Sequence, residues 1–178
     1  MSTQSEIRTI EVVPYNLNWV KKYLDEAEKV KKIMADELVK IHHIGSTAIP
    51  GISAKPVIDI LVEVKNIRDV DNYNEEMKEI GYIPKGEYGI EGRKFFLKGE
   101  INRTHHVHVF EMGNSEIKRH LNFRDYMISH PEEAKSYSEL KKELAIKFIH
   151  DIDGYCNGKD GFIKEIDKKA EEWAKTRL

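Results

Sequence analysis

The stretch that decides the fold runs from Ile41 to Val64 and reads IHHIGSTAIPGISAKPVIDILVEV. Two apolar runs bracket a loop of small residues. The second run, Pro56 to Val64, is β-branched and almost wholly apolar, which is the pattern of a strand buried on both faces. Asp59 interrupts it. A carboxylate in such a strand has to be paired, metal-bound or placed at the mouth of a cleft, because an unpaired buried charge is costly. Upstream, Gly45-Ser46-Thr47 follows the shorter run Ile41 to Ile44. A glycine at a strand end lets backbone approach a phosphate closely, and two hydroxyls with the turn N–H groups suit its oxygens. The alternative for Ser46 and Thr47 is an ordinary turn or helix cap.

Working toward the N-terminus, Trp19, Val20, Tyr23, Leu24, Ala27, Val30, Ile33, Met34 and Leu38 recur at helical spacing. They predict an amphipathic helix from a cap at Asn16 or Asn18 to about Val39. Ile10 to Val13 reads as a short edge strand ended by Pro14. Residues 1–9 are polar and expected to be frayed or disordered.

On the C-terminal side, Asp69 or Asp71 is expected to cap a short helix ending at Gly81. Strands are predicted at Tyr82 to Pro84, Arg93 to Lys98 and His105 to Glu111, with a Gly-rich turn at Lys85 to Gly92. Asn114 or Ser115 opens a helical third, with Pro131 at the start of its second helix. Asp151 to Asp160, holding Gly154 and Gly158, reads as a polar connection, and Gly161 to Leu178 as the final helix.

Strand parity puts His106 and His108 on one face and His105 on the other. Two same-face histidines can ligate one metal or bracket one phosphate, and with Asp59 they form a two-His-one-carboxylate set suited to a divalent ion. The alternatives are a structural hydrogen bond for Asp59 and ordinary sheet packing for the histidines. Lys55 is the best placed cation for a phosphate, and Arg93, Lys94 and Arg103 surround the Gly-rich turn as a second anion contact. Arg124 and Asp125 are expected to form an ion pair that docks the helical cap on the sheet.

A strand, then hydrophobic-Gly-Ser, then Asp in a second strand resembles the nucleotidyltransferase superfamily signature. More closely, His43–Val64 (HIGSTAIPGISAKPVIDILVEV), Thr104–Asn114 (THHVHVFEMGN) and His120–Ala145 (HLNFRDYMISHPEEAKSYSELKKELA) resemble the GrpB family, over nearly the whole chain. The resemblance implies an α+β fold: a small mixed β-sheet with flanking helices and a C-terminal helical cap, in a single domain over residues 1–178. In some members a similar domain is fused to dephospho-CoA kinase. It also implies a role in binding or acting on a nucleotide or phosphorylated small molecule. In that reading Asp59 and Ser46 are the catalytic candidates. Gly45, Ser46, Thr47, Lys55, Arg93 and Arg103 bind substrate. Asp59, His106 and His108 hold Mg, Mn or Zn.

The superfamily pattern has a second acid two residues after the first, where this chain has Leu61. Glu63 has the right parity but lies about 13 Å from Asp59 along an extended strand. The alternative reading is therefore a non-catalytic ligand-binding or accessory domain that has lost the second metal-binding acid.

Composition narrows the field. The 178 residues are 34% charged and 40% hydrophobic with a formal net charge of −2, which disfavours a nucleic-acid binder. A single cysteine excludes a disulfide framework and fits a reducing cytoplasm. No stretch has the length of a membrane span or the makeup of a signal peptide. No Gly-x-x-x-x-Gly-Lys-Ser/Thr loop, Gly-x-Ser-x-Gly elbow or His-Glu-x-x-His occurs.

Overall fold

The computed structural model describes residues 9–177. The predicted disorder of residues 1–9 falls almost wholly outside that range. Five strands, β1 (Leu38–Ile44), β2 (Ile58–Val64), β3 (Tyr82–Pro84), β4 (Arg93–Lys98) and β5 (His105–Glu111), form one sheet in the order β1-β2-β5-β4-β3. The helices are α1 (Asn18–Ile33), α2 (Asn74–Glu79), α3 (Ser115–Ser129), α4 (Pro131–Lys147) and α5 (Ile152–Lys175). The fold is α+β, as expected.

The sheet is mixed. β2 runs parallel to β5, with Asp59 beside His106 and Leu61 beside His108, while β1–β2, β4–β5 and β3–β4 are antiparallel. Both faces of the parallel pair are covered. The face toward α1 and α2 is apolar but for His105 and Glu111 at the strand ends, while the opposite face sets Asp59, Glu63, His106 and His108 beside Leu61 and Phe110. On one side Ile58, Ile60, Val62, Val107, Val109 and Phe96 pack against α1 and α2 through Trp19, Val30, Met34 and Met77. On the other side Ile44, Leu61 and Phe110 meet Ile117 of α3. The loop between β1 and β2 sends Ile49 and Ile52 into the helical cap, among Tyr126, Met127, Tyr137 and Ile166. That loop ties sheet and cap together.

Several boundaries differ from the sequence reading. α1 ends at Ile33, and β1 begins at Leu38, with a bulge between Leu38 and Lys40. Residues 38–40 fit a helical pattern, but pairing with Val64 and Glu63 takes them into the sheet, so tertiary context overrides local periodicity. Val13 makes one isolated bridge to Ala54 rather than an edge strand. The region after β2 is capped by Asn66 and forms a 3-10 turn, Ile67–Tyr73, before α2.

The largest difference lies at Asp151 to Asp160. Asp151 accepts from the Gly154 N–H as a cap, and α5 starts at Ile152, so the expected connection is helix. Its glycines serve close packing instead of a turn. A Cβ on Gly158 would lie 2.5 Å from Leu144 Cδ2, and one on Gly154 would lie 2.5 Å from Phe148 Cδ1, where α5 crosses the end of α4. This brings Tyr155 and Lys159 onto a helical face that looks at the sheet.

A basic pocket beside Asp59

Asp59 sits on the cap-facing side of β2. Gly45 leaves β1 with φ +74 and ψ −172, a region that L side chains rarely adopt. A Cβ there would stand 2.7 Å from Asp59 Oδ2. Glycine is required at this position to seat the carboxylate. The Asp59 Oδ1 lies 3.0 Å from His108 Nε2 and 3.4 Å from His106 Nδ1. Burial pushes the Asp59 carboxyl up, but the hydrogen bonds of the His106 and His108 rings outweigh it and hold the group well below the ordinary carboxylate range.

The ligand atoms of Asp59, His106 and His108 all lie within 4.8 Å of one another. Residue type and spacing suit a divalent transition ion. Protonation does not. Arg93 Nη1 lies 3.2 Å from His108 Nδ1, and a guanidinium only donates. A donor facing Nδ1 favours the ring proton on Nε2, which lies 3.0 Å from Asp59 Oδ1. Leu61, where a second acid would stand, is fully buried among Ile44, Phe110 and Ile117. Glu63 is engaged at the sheet edge with His42 at 2.6 Å.

Next to Asp59 opens a cavity of about 200 Å³ lined by Ser46, Thr47, Lys55, Asp59, His106, Lys141, Tyr155 and Lys159, with Ala54 and Val57. Three of these are lysines. Lys141 of α4 is 1% exposed and its Nζ has no hydrogen-bond partner among the described residues. Burial, with the nearby ammoniums of Lys159 and Lys55, lowers its pKa from 10.5 to about 7. The Lys141 ammonium rests 4.4 Å from the centre of the Tyr137 ring. Those of Lys159 and Lys55 lie 4.7 and 5.3 Å from the centre of the Tyr155 ring. Tyr155 is wholly buried, and its hydroxyl also lacks a partner among the described residues. Burial lowers the Lys159 pKa as well, against the pull of Cys156 and Asp59.

The structure thus brings Asp59, Ser46, Thr47, Lys55 and His106 to one pocket, with His108 behind Asp59. Ser46 contacts the Tyr137 hydroxyl, and Thr47 Oγ1 lies 2.9 Å from His43 Nε2. Arg93, 6% exposed, spends its fork on the Glu87 and Tyr88 carbonyls and on His108. Lys94 pairs with Asp71, and Arg103 lies in the turn before β5, outside the pocket lining. Arg124 and Asp125 form the expected ion pair, but both belong to α3, so the pair docks nothing; it is the Arg124 bond to the His43 carbonyl that joins α3 to β1. Sequence reasoning missed Lys141, Tyr155 and Lys159. Lys141 lies in a helix whose sequence pattern buries Ala134, Tyr137, Leu140, Leu144 and Phe148 and leaves its lysines to be read as surface, and the other two lie in the stretch that Gly154 and Gly158 make look like a loop.

Among the described residues no helix is long and apolar enough to cross a membrane. A protein of Bacillus subtilis, UPF0157 protein YqkA, is 48% identical over 96% of this chain, and the chain spans half the length of that relative. The glutamate-rich protein GrpB of Alkalihalophilus pseudofirmus is 38% identical over 87% of this chain and 92% of its own length. A crystal structure of the conserved protein GrpB from Enterococcus faecalis superposes with a TM-score of 0.88 at 44% identity, covering 92% of this chain and 99% of that one. The family model described as GrpB protein matches residues 9–169, and the chain belongs to the GrpB family.

Proposed function

We propose that the pocket beside Asp59 binds the phosphate of a nucleotide or phosphorylated small molecule, and that it does so without needing a metal. The observation that carries this reading is Lys141, a buried ammonium with no hydrogen-bond partner among the described residues, lining a pocket with two further lysines. Mutual repulsion of three ammoniums and the desolvation of one are relieved together by a phosphate dianion. The Tyr155 hydroxyl and the Ser46 side chain add donors of the kind phosphate oxygens accept. A second reading, metal-dependent nucleotidyl transfer with Mg, Mn or Zn at Asp59, His106 and His108, is favoured by the clustering of those ligand atoms. Leu61 in place of a second acid, and the Arg93 donor 3.2 Å from His108 Nδ1, count against it.

The test is a thermal-shift and calorimetric titration with inorganic phosphate, pyrophosphate and nucleoside mono-, di- and triphosphates, each with and without Mg²⁺, Mn²⁺ or Zn²⁺. At a ligand concentration 100 times Kd, the folded state gains about 2.7 kcal/mol. That corresponds to a melting temperature higher by roughly 5–10 °C for a chain of this size. The expected result is stabilisation by at least one phosphorylated ligand in chelator, lost in Lys141→Met. Stabilisation only with metal would favour nucleotidyl transfer, and no stabilisation by any phosphate compound would remove the reading.

A further inference from the structure

The triad of Asp59, His106 and His108 has the residue types of a metal site, yet one member is wired the wrong way round. A histidine that ligates through Nε2 carries its proton on Nδ1 and donates it outward to a carboxylate, carbonyl or water. His108 faces the opposite arrangement. The atom beyond its Nδ1 is Arg93 Nη1 at 3.2 Å, a donor that cannot accept. Nor can Arg93 easily turn away. It is 6% exposed, its Nε and Nη2 are held by the Glu87 and Tyr88 carbonyls at 3.2 and 2.8 Å, and its guanidinium lies 4.5 Å from the Phe95 ring centre. Register places it there. Arg93 of β4 pairs with Phe110 of β5, one step along the same face from the Phe95–His108 pair.

We infer that Arg93 is a positioning residue that locks His108 as the Nε2–H tautomer, making it a fixed donor to Asp59 and removing it from the ligand set of any cation. The other groups around His108 agree with this role. Phe95 and His120 flank its ring at 5.2 and 6.0 Å between centroids, and His106 meets it edge-on at 6.3 Å. No hydrogen bond joins any of these three rings to Nδ1, whose one partner among the described residues is Arg93. A cation at this cluster is left with Asp59 and His106, too few protein ligands for the tetrahedral sites that bind zinc tightly. The inference does not depend on what fills the lysine pocket.

Two measurements on the purified full chain test it. Long-range ¹H–¹⁵N correlation spectra of the histidine rings in the wild type should show His108 with its proton on Nε2 and none on Nδ1. A proton on Nδ1 overturns the inference. Second, Co²⁺ and Zn²⁺ are titrated into wild type, His108→Gln, Arg93→Met and the double variant. Glutamine can donate to Asp59 from the Nε2 position but has no nitrogen lone pair for a metal. His108→Gln should therefore keep the wild-type affinity, whereas a ligand lost there would cost well over 10-fold. Arg93→Met should tighten binding by about 10–100-fold, the range over which outer partners of ligating histidines act. The double variant should lose that gain. If Arg93→Met does not fold, the wild-type spectrum and His108→Gln still decide the matter. Weaker Co²⁺ binding in His108→Gln than in wild type would refute it.

Discussion

Replacing Lys141 by methionine should make the ligand-free protein more stable, not less. Methionine keeps the unbranched stem that packs against Tyr137 and removes only the ammonium. A fall in pKa from 10.5 to about 7 means that protonating the buried amine at neutral pH is opposed by the fold. At about 1.36 kcal/mol per pH unit this amounts to on the order of 4–5 kcal/mol at pH 7. The interaction of the ammonium with the Tyr137 ring at 4.4 Å returns roughly 2 kcal/mol of that. The net gain is about 2–3 kcal/mol, or a melting temperature higher by roughly 4–12 °C. The pH dependence carries the sharper sign. Below about pH 7 both folded and unfolded wild type hold the proton, so the full penalty is present and constant. Between about 7 and 10.5 the unfolded chain holds more protons than the folded one, so wild-type stability rises with pH and the gap to the variant closes. The assay is thermal or urea unfolding of both proteins from pH 6 to 10 in a buffer free of phosphate. A variant less stable than wild type at pH 7, or a gap that ignores pH, would refute the reasoning about the pocket.

Leu61→Asp, which restores the missing second acid of the superfamily pattern, should unfold the protein instead of building a two-acid site. Leu61 is fully buried against Ile44, Phe110 and Ile117, and an unpaired carboxylate there costs about 3–5 kcal/mol or more, measurable by urea denaturation. Gly45→Ala should cost about 1–3 kcal/mol for the backbone alone and should displace the Asp59 carboxylate. Unchanged stability, and unchanged histidine ring resonances at 106 and 108, would contradict the packing described. Lys98→Met removes the 2.7 Å partner of Glu26, which is 4% exposed on the opposite side of the sheet. Burial alone would raise the Glu26 pKa, but Lys98 and Tyr82 bring it below its usual value. The pair's contribution is therefore present above pH 4–5 and lost as pH falls through the lowered pKa. The expected loss is about 2–4 kcal/mol at pH 7, shrinking in acid.

Much of this architecture is legible along the chain, and the limits of legibility have physical causes. Strands 2, 4 and 5 declare themselves because alternation and β-branching are local. Strand parity also sets His106 and His108 on one face, but their meeting with Asp59 needs the parallel pairing of β2 with β5, which only the fold supplies. The lysine pocket is not legible. Helical spacing sets Lys141, four residues after Tyr137 and three before Leu144, on the apolar face of α4 and its exposed neighbour Lys142 off it. A lysine at such a position ordinarily snorkels to solvent, and its full burial is decided by how α4 and α5 cross. The crossing depends on Gly154 and Gly158, which locally argue for a loop and only in the fold show themselves as contact points for Phe148 and Leu144. Arg93 reads as a free cation beside a turn. Only the register of β4 on β5 turns it toward His108.

The two ends of the sheet have a consequence for how the protein behaves in crowded solution. An outer strand with a straight row of open N–H and C=O groups invites another chain to pair with it and seeds aggregation. Here the outermost strands are β1 and β3. β1 is bent by the bulge between Leu38 and Lys40 and carries Lys40 exposed beside it. β3 is three residues long and ends in Pro84, which has no N–H to give. The bulge in β1 and the shortness and proline of β3 cut down the template that either border presents to another sheet.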